Sequence, residues 1–290
     1  MSFPVSLQRP QKKSMGSTGF FKTILLLSLF LPLSATHAKL LSLQGDRTQG
    51  SLLLGKVTQG SQVKYQEKLI SVNDGGYFVI GFGRDAVLDQ QFIVISPDGK
   101  PQSHKLKLKK RKYNIQRIKG VPQKMVTPPE SFLKRIRRES KLVANSRAVE
   151  TDYPYFAQPF IWPLTGRISG VYGSQRFFNG EPRRPHFGVD VAAPVGAKVV
   201  APAGGTVVLA EPDLYFSGGT LIIDHGHGVF SSFLHLSKVL VNVGTKVKQG
   251  DVIAKVGATG RVTGPHLDWR MNWFTIRVDP ALWVGPMPKK

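Results

Sequence analysis

From Phe160 onward, short apolar runs meet Gly or Pro at nearly every junction, and no convincing helical period survives. Gly and Pro are the least favourable residues inside a helix, so a chain broken this often must build from strands. The runs Arg167–Tyr172, Gly188–Val191, Lys198–Ala201, Gly205–Ala210, Thr220–Asp224, Val229–His235, Asp251–Val256 and Leu267–Asn272 read as strands. Many short strands closed by such turns predict a closed or two-layered antiparallel sheet. Five of the seven histidines, His186 to His266, fall on or beside these strands.

Imidazoles and carboxylates gathered on a rigid β scaffold suit a zinc hydrolase, which needs three protein ligands and acid/base groups beside an open position. His186 and Asp190, in RRPHFGVD, are close enough in sequence to occupy a strand start and its adjoining loop, with Gly188 allowing a bend. Their bland reading is a surface His–Asp hydrogen bond. His266 and Asp268, in TGPHLDW, lie two apart and on a strand would share one face. His235, near the end of an apolar run, reads by itself as a core histidine bonded to backbone. His225 and His227 imitate a ligand pair but sit in the glycine-rich DHGHG tip, so they read as solvent-exposed turn residues. The arm Tyr172–Pro185 carries arginines able to grip carboxylates bidentately, and Phe177 or Phe178 to line a groove; a plain ordered loop is the other reading.

With HFGVD, VGAKVVAPAGGTV, LIIDHGHG, FLHLS, VGTKVKQGDVIAKVGATG and TGPHLDW in one order, the chain from Phe160 to Trp283 resembles the lysostaphin/LytM-type zinc metallopeptidases, which cut peptide bonds in peptidoglycan. The resemblance implies Zn2+ held by His186, Asp190 and the residue at Asp268, with His235 and His266 catalytic beside the metal-bound water. The family carries His-x-His where this chain has His266-x-Asp268. That departure makes the expected ligand set one imidazole and two carboxylates and lowers the charge of the metal centre. The resemblance also implies a C-terminal antiparallel β domain of the LytM/lysostaphin (duplicated hybrid motif) type.

At 290 residues there is room for a signal and two modest domains. Arg9, Lys12, Lys13 and Lys22 precede the apolar run Thr23–Ser34, and Thr36 and Ala38 suit cleavage before Lys39, so residues 1–38 read as a signal peptide, with Met15 as an alternative start. The absence of cysteine excludes thiolate ligands, disulfides and a lipid-modified cysteine. The formal charge is +22; residues 1–38 hold four basic and no acidic residues, leaving +18. Such an excess points to polyanionic partners. Export and the lack of any nucleic-acid motif exclude nucleic acid and favour anionic envelope polymers.

The expected fold class is mainly β. Residues 39–120 read as an immunoglobulin-like β-sandwich that positions or binds, with turns at Asn73-Asp74-Gly75-Gly76 and Ser96-Pro97-Asp98-Gly99 and a half-buried Lys105–Lys109 strand. Residues 121–159 read as a basic connecting helix and linker, the helix capped by Thr127, ending near Asn145 and carrying Phe132, Leu133, Ile136 and Val143 on one face. That helix is either solvated or attached to anionic polymer or membrane. Residues 160–290 read as the zinc peptidase domain. The expected function is an exported zinc-dependent endopeptidase cutting peptidoglycan peptide crosslinks in the periplasm or cell envelope. It would act on peptide stems, with a regulatory envelope protein as a further partner. The alternative is a catalytically inactive LytM-like wall-binding module or activator of a cell-wall amidase.

Overall fold

Turn chemistry and strand alternation shape the first part of the chain. The structure, a computed structural model, describes residues 39–119, 129–178 and 180–288. The expected signal segment and the Thr127 cap lie outside the described residues. Seven strands come first: β1 (Leu40–Gln44), β2 (Leu52–Val57), β3 (Gln62–Tyr65), β4 (Lys68–Ile70), β5 (Tyr77–Gly81), β6 (Asp89–Ile95) and β7 (Pro101–Lys107). They form two antiparallel sheets, β1-β2-β5 and β4-β3-β6-β7. The sheets touch through their apolar faces, with the rings of Phe78 and Phe92 5.9 Å apart. Gly55 makes room for this, since a Cβ there would come within 2.2 Å of the Phe78 ring. At the Asn73 turn the side-chain oxygen accepts from Tyr77 N at 2.9 Å, and Gly76 takes φ +79°.

The run Gln62–Val72, apolar enough to read as a single strand, holds two. Gln66 and Glu67 both have left-handed φ, +47° and +63°, and close a two-residue hairpin between β3 and β4. Such turns normally announce themselves by Asn or Gly, and neither is present. In the Lys105–Lys109 run the leucines are buried and the lysines exposed, as alternation requires, although the ladder stops at Lys107.

A short strand, β8 (Ile115–Ile118), precedes α1 (Glu130–Asn145). The helix ends where the sequence suggests, and its apolar stripe packs, with the Phe132 ring 4.8 Å from Tyr215 and Val143 against the cluster of Leu209, Leu214, Ile222 and Phe230, although Leu133, Ile136 and Val143 are only half-buried and Phe132 is 39% exposed. Its buried residue is Glu139, whose carboxylate accepts from Arg135 Nε and, at 2.8 Å, from Tyr215 N. Arg135 also grips Asp213 at 2.9 Å.

The remaining strands are β9 (Arg167–Gly170), β10 (Gln175–Phe178), β11 (Glu181–Pro182), β12 (Val189–Ala192), β13 (Lys198–Val200), β14 (Gly205–Leu214), β15 (Gly218–Asp224), β16 (Val229–Val239), β17 (Lys246–Val247), β18 (Val252–Val256), β19 (His266–Trp273) and β20 (Ile276–Val278). Ten of them make one sheet running β17-β14-β15-β16-β19-β12-β9, with β18 joining β13 to β16 and β20 lying beside β19. All eight strands expected after Phe160 are present with shifted ends. The helix α2 (Pro280–Val284), capped by the Asp279 carboxylate accepting from Ala281 N at 3.0 Å, was not expected. The arm is a built element rather than a plain loop: β10 and β11 form a hairpin, and β8 pairs with β10 in parallel. Every residue of β15 is buried, as are the first eight of β16, so these strands are covered on both faces. Trp273, at the end of β19, meets Tyr65 at 6.0 Å, and a Cβ on Gly81 would come 2.7 Å from the Trp273 Cβ. One apolar core therefore runs from Leu52 to Val278.

His225 and His227 correct the sequence reading. They do occupy the turn between β15 and β16, yet they are 0% and 3% exposed. His225 Nδ1 donates to Gly204 O at 2.6 Å, which leaves Nε2 to accept from Ser231 Oγ at 2.9 Å. The His227 ring packs against Phe156 in a tilted pair, centroids 4.1 Å apart. Both are core histidines. Burial pulls the His225 pKa from 6.5 to about 4. The unfolded chain therefore binds the extra proton between those values, so stability falls as the pH drops from about 6.5 to about 4, by up to about 3 kcal/mol, and this group adds no slope above that window. His225→Gln is expected to flatten the unfolding free energy against pH over this interval; an unchanged slope by chemical denaturation would refute the assignment.

Candidate metal and catalytic site

Register builds the site. On paired β12 and β19, Asp190 lies directly opposite Asp268, and His266 opposite Ala192. The two-residue period of β19 puts His266, Asp268 and Arg270 on one face. His186 precedes β12, and two backbone bonds to the arm hold it: His186 N donates to Ser174 O, and Gly173 N to His186 O, each at 2.8 Å. One ligand atom from each of His186, Asp190 and Asp268 can be chosen so that all lie within 4.8 Å of one another. His186 Nε2 and Asp190 Oδ1 are 3.2 Å apart and buried, yet neither makes an aligned hydrogen bond. Two orphaned buried polar atoms facing each other are a cost unless something else satisfies them. An imidazole nitrogen and two carboxylate oxygens converging this way fit a zinc ion, which accepts both kinds of ligand atom.

Two glycines leave space for the carboxylates. A Cβ on Gly170, which pairs with Asp190, would lie 2.1 Å from Asp190 Oδ2. A Cβ on Gly188 would lie 2.4 Å from Asp268 Oδ1. Gly188 is thus required for room, since its φ is not among the positive ones and no left-handed bend is involved.

His235 stands at an irregularity of β16. Leu234 still pairs with Asp268, but the register against β15 shifts between Phe233 and Leu236, and His235 takes φ +65°. A left-handed backbone at a non-glycine residue is strained, and here it turns the ring toward the cleft. His235 Nδ1 donates to Thr259 O at 2.9 Å, and His266 Nδ1 to Gly264 O at 2.8 Å. Carbonyls only accept, so each neutral ring must present an Nε2 lone pair. Those atoms approach the carboxylates: His235 Nε2 is 3.9 Å from Asp268 Oδ2, and His266 Nε2 is 3.8 Å from Asp190 Oδ1. The two rings are 4.9 Å apart. Burial lowers the His235 pKa and outweighs the Asp268 charge, so the ring is held neutral. Burial also acts to lower His186, but Asp190 and Asp268 more than reverse it.

Residue-by-residue reading of the sequence missed Arg270 and Thr259. Arg270 Nε lies 3.0 Å from both Asp268 oxygens, and its Nη2 bonds Oδ2 as well. Burial acts to raise the Asp268 carboxyl pKa, and the Arg270 guanidinium overrides it, holding the carboxyl well below the usual range. The i, i+2 spacing of Asp268 and Arg270 was the available signal. Thr259, besides its carbonyl, fixes the turn through its hydroxyl, which donates to Leu236 O and accepts from Gly219 N, both at 2.9 Å.

Asp268→Ala would leave the Arg270 guanidinium half-buried and unpaired, which typically costs about 1–3 kcal/mol. Asp268→Ala/Arg270→Gly should recover most of that loss in denaturant unfolding. Purely additive effects would show that the pair is not coupled.

Residues 184–280 match the family described as Peptidase family M23. The peptidoglycan DD-endopeptidase ShyA of Vibrio cholerae is 41% identical over 106 residues, 36% of this chain and 24% of that one. The chain spans about a quarter of the length of the curated relatives it matches first. A crystal structure of a peptidase M23 from Pseudomonas aeruginosa is 29% identical and covers 83% of this chain and 96% of its own, with a TM-score of 0.66. The catalytic domain of the antimicrobial peptidase lysostaphin from Staphylococcus simulans is 30% identical and covers 41% of this chain and 92% of its own, with a TM-score of 0.37.

Proposed function

The chain belongs to Peptidase family M23, and from that premise we propose that it is an exported zinc-dependent endopeptidase hydrolysing the peptide crosslinks of peptidoglycan. The observation that carries this reading is the facing pair of orphaned atoms, His186 Nε2 and Asp190 Oδ1, beside Asp268. Those three residues would hold Zn2+, which when bound supplies a Lewis acid for the scissile carbonyl and acidifies water. His235 and His266 offer two Nε2 atoms on one side of the cleft. One accepts the proton of the attacking water, and the other, carrying a proton, donates to the developing oxyanion. Their carbonyl-bonded Nδ1 atoms fix both rings before substrate arrives, so no reorientation is needed during the reaction.

Arg270 answers the question raised by the aspartate. One neutral imidazole and two carboxylates would reduce Zn2+ to a net charge of about zero; an adjoining guanidinium restores about +1, the value for two imidazoles and one carboxylate. An ionised carboxylate offers about four lone-pair positions, enough to serve both Arg270 and a metal.

The N-terminal sheets fit an immunoglobulin-like positioning module. The exposed Lys134, Arg137, Arg138 and Lys141 of α1 suit anionic envelope polymers of the periplasm or cell envelope. A second reading, an inactive wall-binding module or an amidase activator, draws on one observation: Asp268 is already engaged by Arg270.

Incubating the purified protein with peptidoglycan sacculi should release muropeptides, and a chelator should stop that release. No chelator-sensitive release at any pH would refute the peptidase and favour the second reading. Asp268→His is expected to lose zinc by elemental analysis, because it strands a half-buried guanidinium beside the metal. Asp268→His/Arg270→Gly is expected to regain it. Full zinc occupancy in Asp268→His alone would show that Arg270 plays no compensating part.

A further inference from the structure

The face of β19 that carries His266, Asp268 and Arg270 continues to Asn272. The cross-strand partner of Arg270 is Ser232, and that of Asn272 is Arg277 on β20. Arg147, which follows α1, reaches the same place, its Nη1 lying 3.5 Å from Ser232 Oγ. Arg277 Nη1 donates to Asn272 Oδ1 at 2.8 Å. Both guanidiniums are half-buried, and their side-chain acceptors are neutral oxygens. Among the described residues neither has a carboxylate within 4.0 Å, and the nearby Arg270 is committed to Asp268.

Half-buried cations are ordinarily paired, because removing charge from water is costly. Here the neighbours are other cations. Burial, followed by the charge of Arg270, lowers Arg147 to about 10. Burial, followed by Arg147, Arg270 and Arg184, lowers Arg277 to about 9. Among the described residues the fold therefore holds two cations along this face that no carboxylate pairs directly, the Asp268 charge opposing the shift of Arg277 only from a distance.

We propose that Arg147 and Arg277 form a carboxylate-binding subsite that takes a free carboxylate of the substrate peptide. Guanidinium forks match carboxylate geometry bidentately, and two neighbouring forks discriminate a carboxylate from its amide. Arg270 and Asn272 lie about 7 to 13 Å along β19 from Asp268, the reach of about two to four extended peptide residues. The subsite thus reads a charge a short way from the scissile bond. This assignment rests on reading the cleft as a peptidase site, and its test is separable from that reading because it needs no turnover.

The experiment is calorimetric binding to the full chain with metal chelated, using an uncrosslinked stem tetrapeptide with free carboxylates and the same peptide with each converted to carboxamide. Wild type is expected to bind the carboxylate form about tenfold more tightly, the usual scale for a charge-assisted bond. Arg147→Gln/Arg277→Gln should erase the preference, and Arg147→Lys/Arg277→Lys should retain part of it. The Gln variant should also melt at a higher temperature without ligand, since it removes mutually repelling cations. Equal binding of both peptides by wild type, a preference that persists in the Gln variant, or a lowered melting temperature there would overturn the subsite. Displacement of the peptide by low concentrations of inorganic phosphate would overturn it in favour of a phosphate site. Preference without hydrolysis of sacculi refutes the peptidase reading and leaves the subsite standing; hydrolysis without preference does the converse.

Discussion

Asp268 and Arg270, two apart on one face of β19, form the contact on which the rest of the site depends. Asp190 sits directly across the strand pair from Asp268. Two carboxylates about 5 Å apart repel by about 3 kcal/mol at an effective dielectric of 20. Without a cation against one of them, one would protonate or the strands would separate. Arg270 supplies that cation from the protein itself, so Asp268 remains ionised and aimed before any metal arrives. The space for it comes from Gly188, just as Gly170 gives space to Asp190. The aspartate is therefore one part of a unit that includes an arginine and a glycine, and a single substitution at any of the three disturbs the other two.

The surrounding sheet serves this unit by being rigid. β15 and β16 are covered on both faces, β19 is flanked by β16 on one side and by β12 and β20 on the other, and Trp273 locks its far end into the N-terminal sheets. Against that frame the left-handed residue at His235 is affordable, because ladder bonds on either side over-determine its position. The strain places a second imidazole beside the carboxylates, while the Thr259 carbonyl sets its tautomer.

Much of the sheet was legible in the sequence because Gly and Pro mark its turns and alternation marks its faces. His186, Asp190, His235, His266 and Asp268 do converge, and the i, i+2 rule alone placed His266 and Asp268 on one face. What was hidden has physical reasons. The Gln66-Glu67 turn uses residues without turn propensity, stabilised by the sheet around it. Glu139 reads as a solvent residue on a helical wheel and is buried because the Tyr215 amide and Arg135 satisfy it. His225 and His227 sit among glycines, which suggests exposure, but the segment around Tyr153 and Phe156 covers them, a tertiary contact no local pattern encodes: a Cβ on Gly226 would lie 2.0 Å from Tyr153 O. Arg270 was visible as a residue but not as a partner, since an arginine on a strand reads first as a solvated charge.

Arg270 also explains why the cationic stripe can exist. A carboxylate buried at Asp268 is balanced by the guanidinium of Arg270, and with Arg270 on the face of β19 the next positions along that face lie in its field. Arg147 and Arg277 stand in that field without a carboxylate of their own among the described residues, a condition selection would remove if stability were its sole criterion. Their neutral acceptors, Ser232 Oγ and Asn272 Oδ1, hold the two groups in place while leaving their charge unneutralised. On the proposed reading, the same arginine would restore the charge of a metal centre on one side and adjoin the arginine pair that takes an anionic peptide group on the other. Both follow from replacing an imidazole, which can be neutral, with a carboxylate that must be balanced.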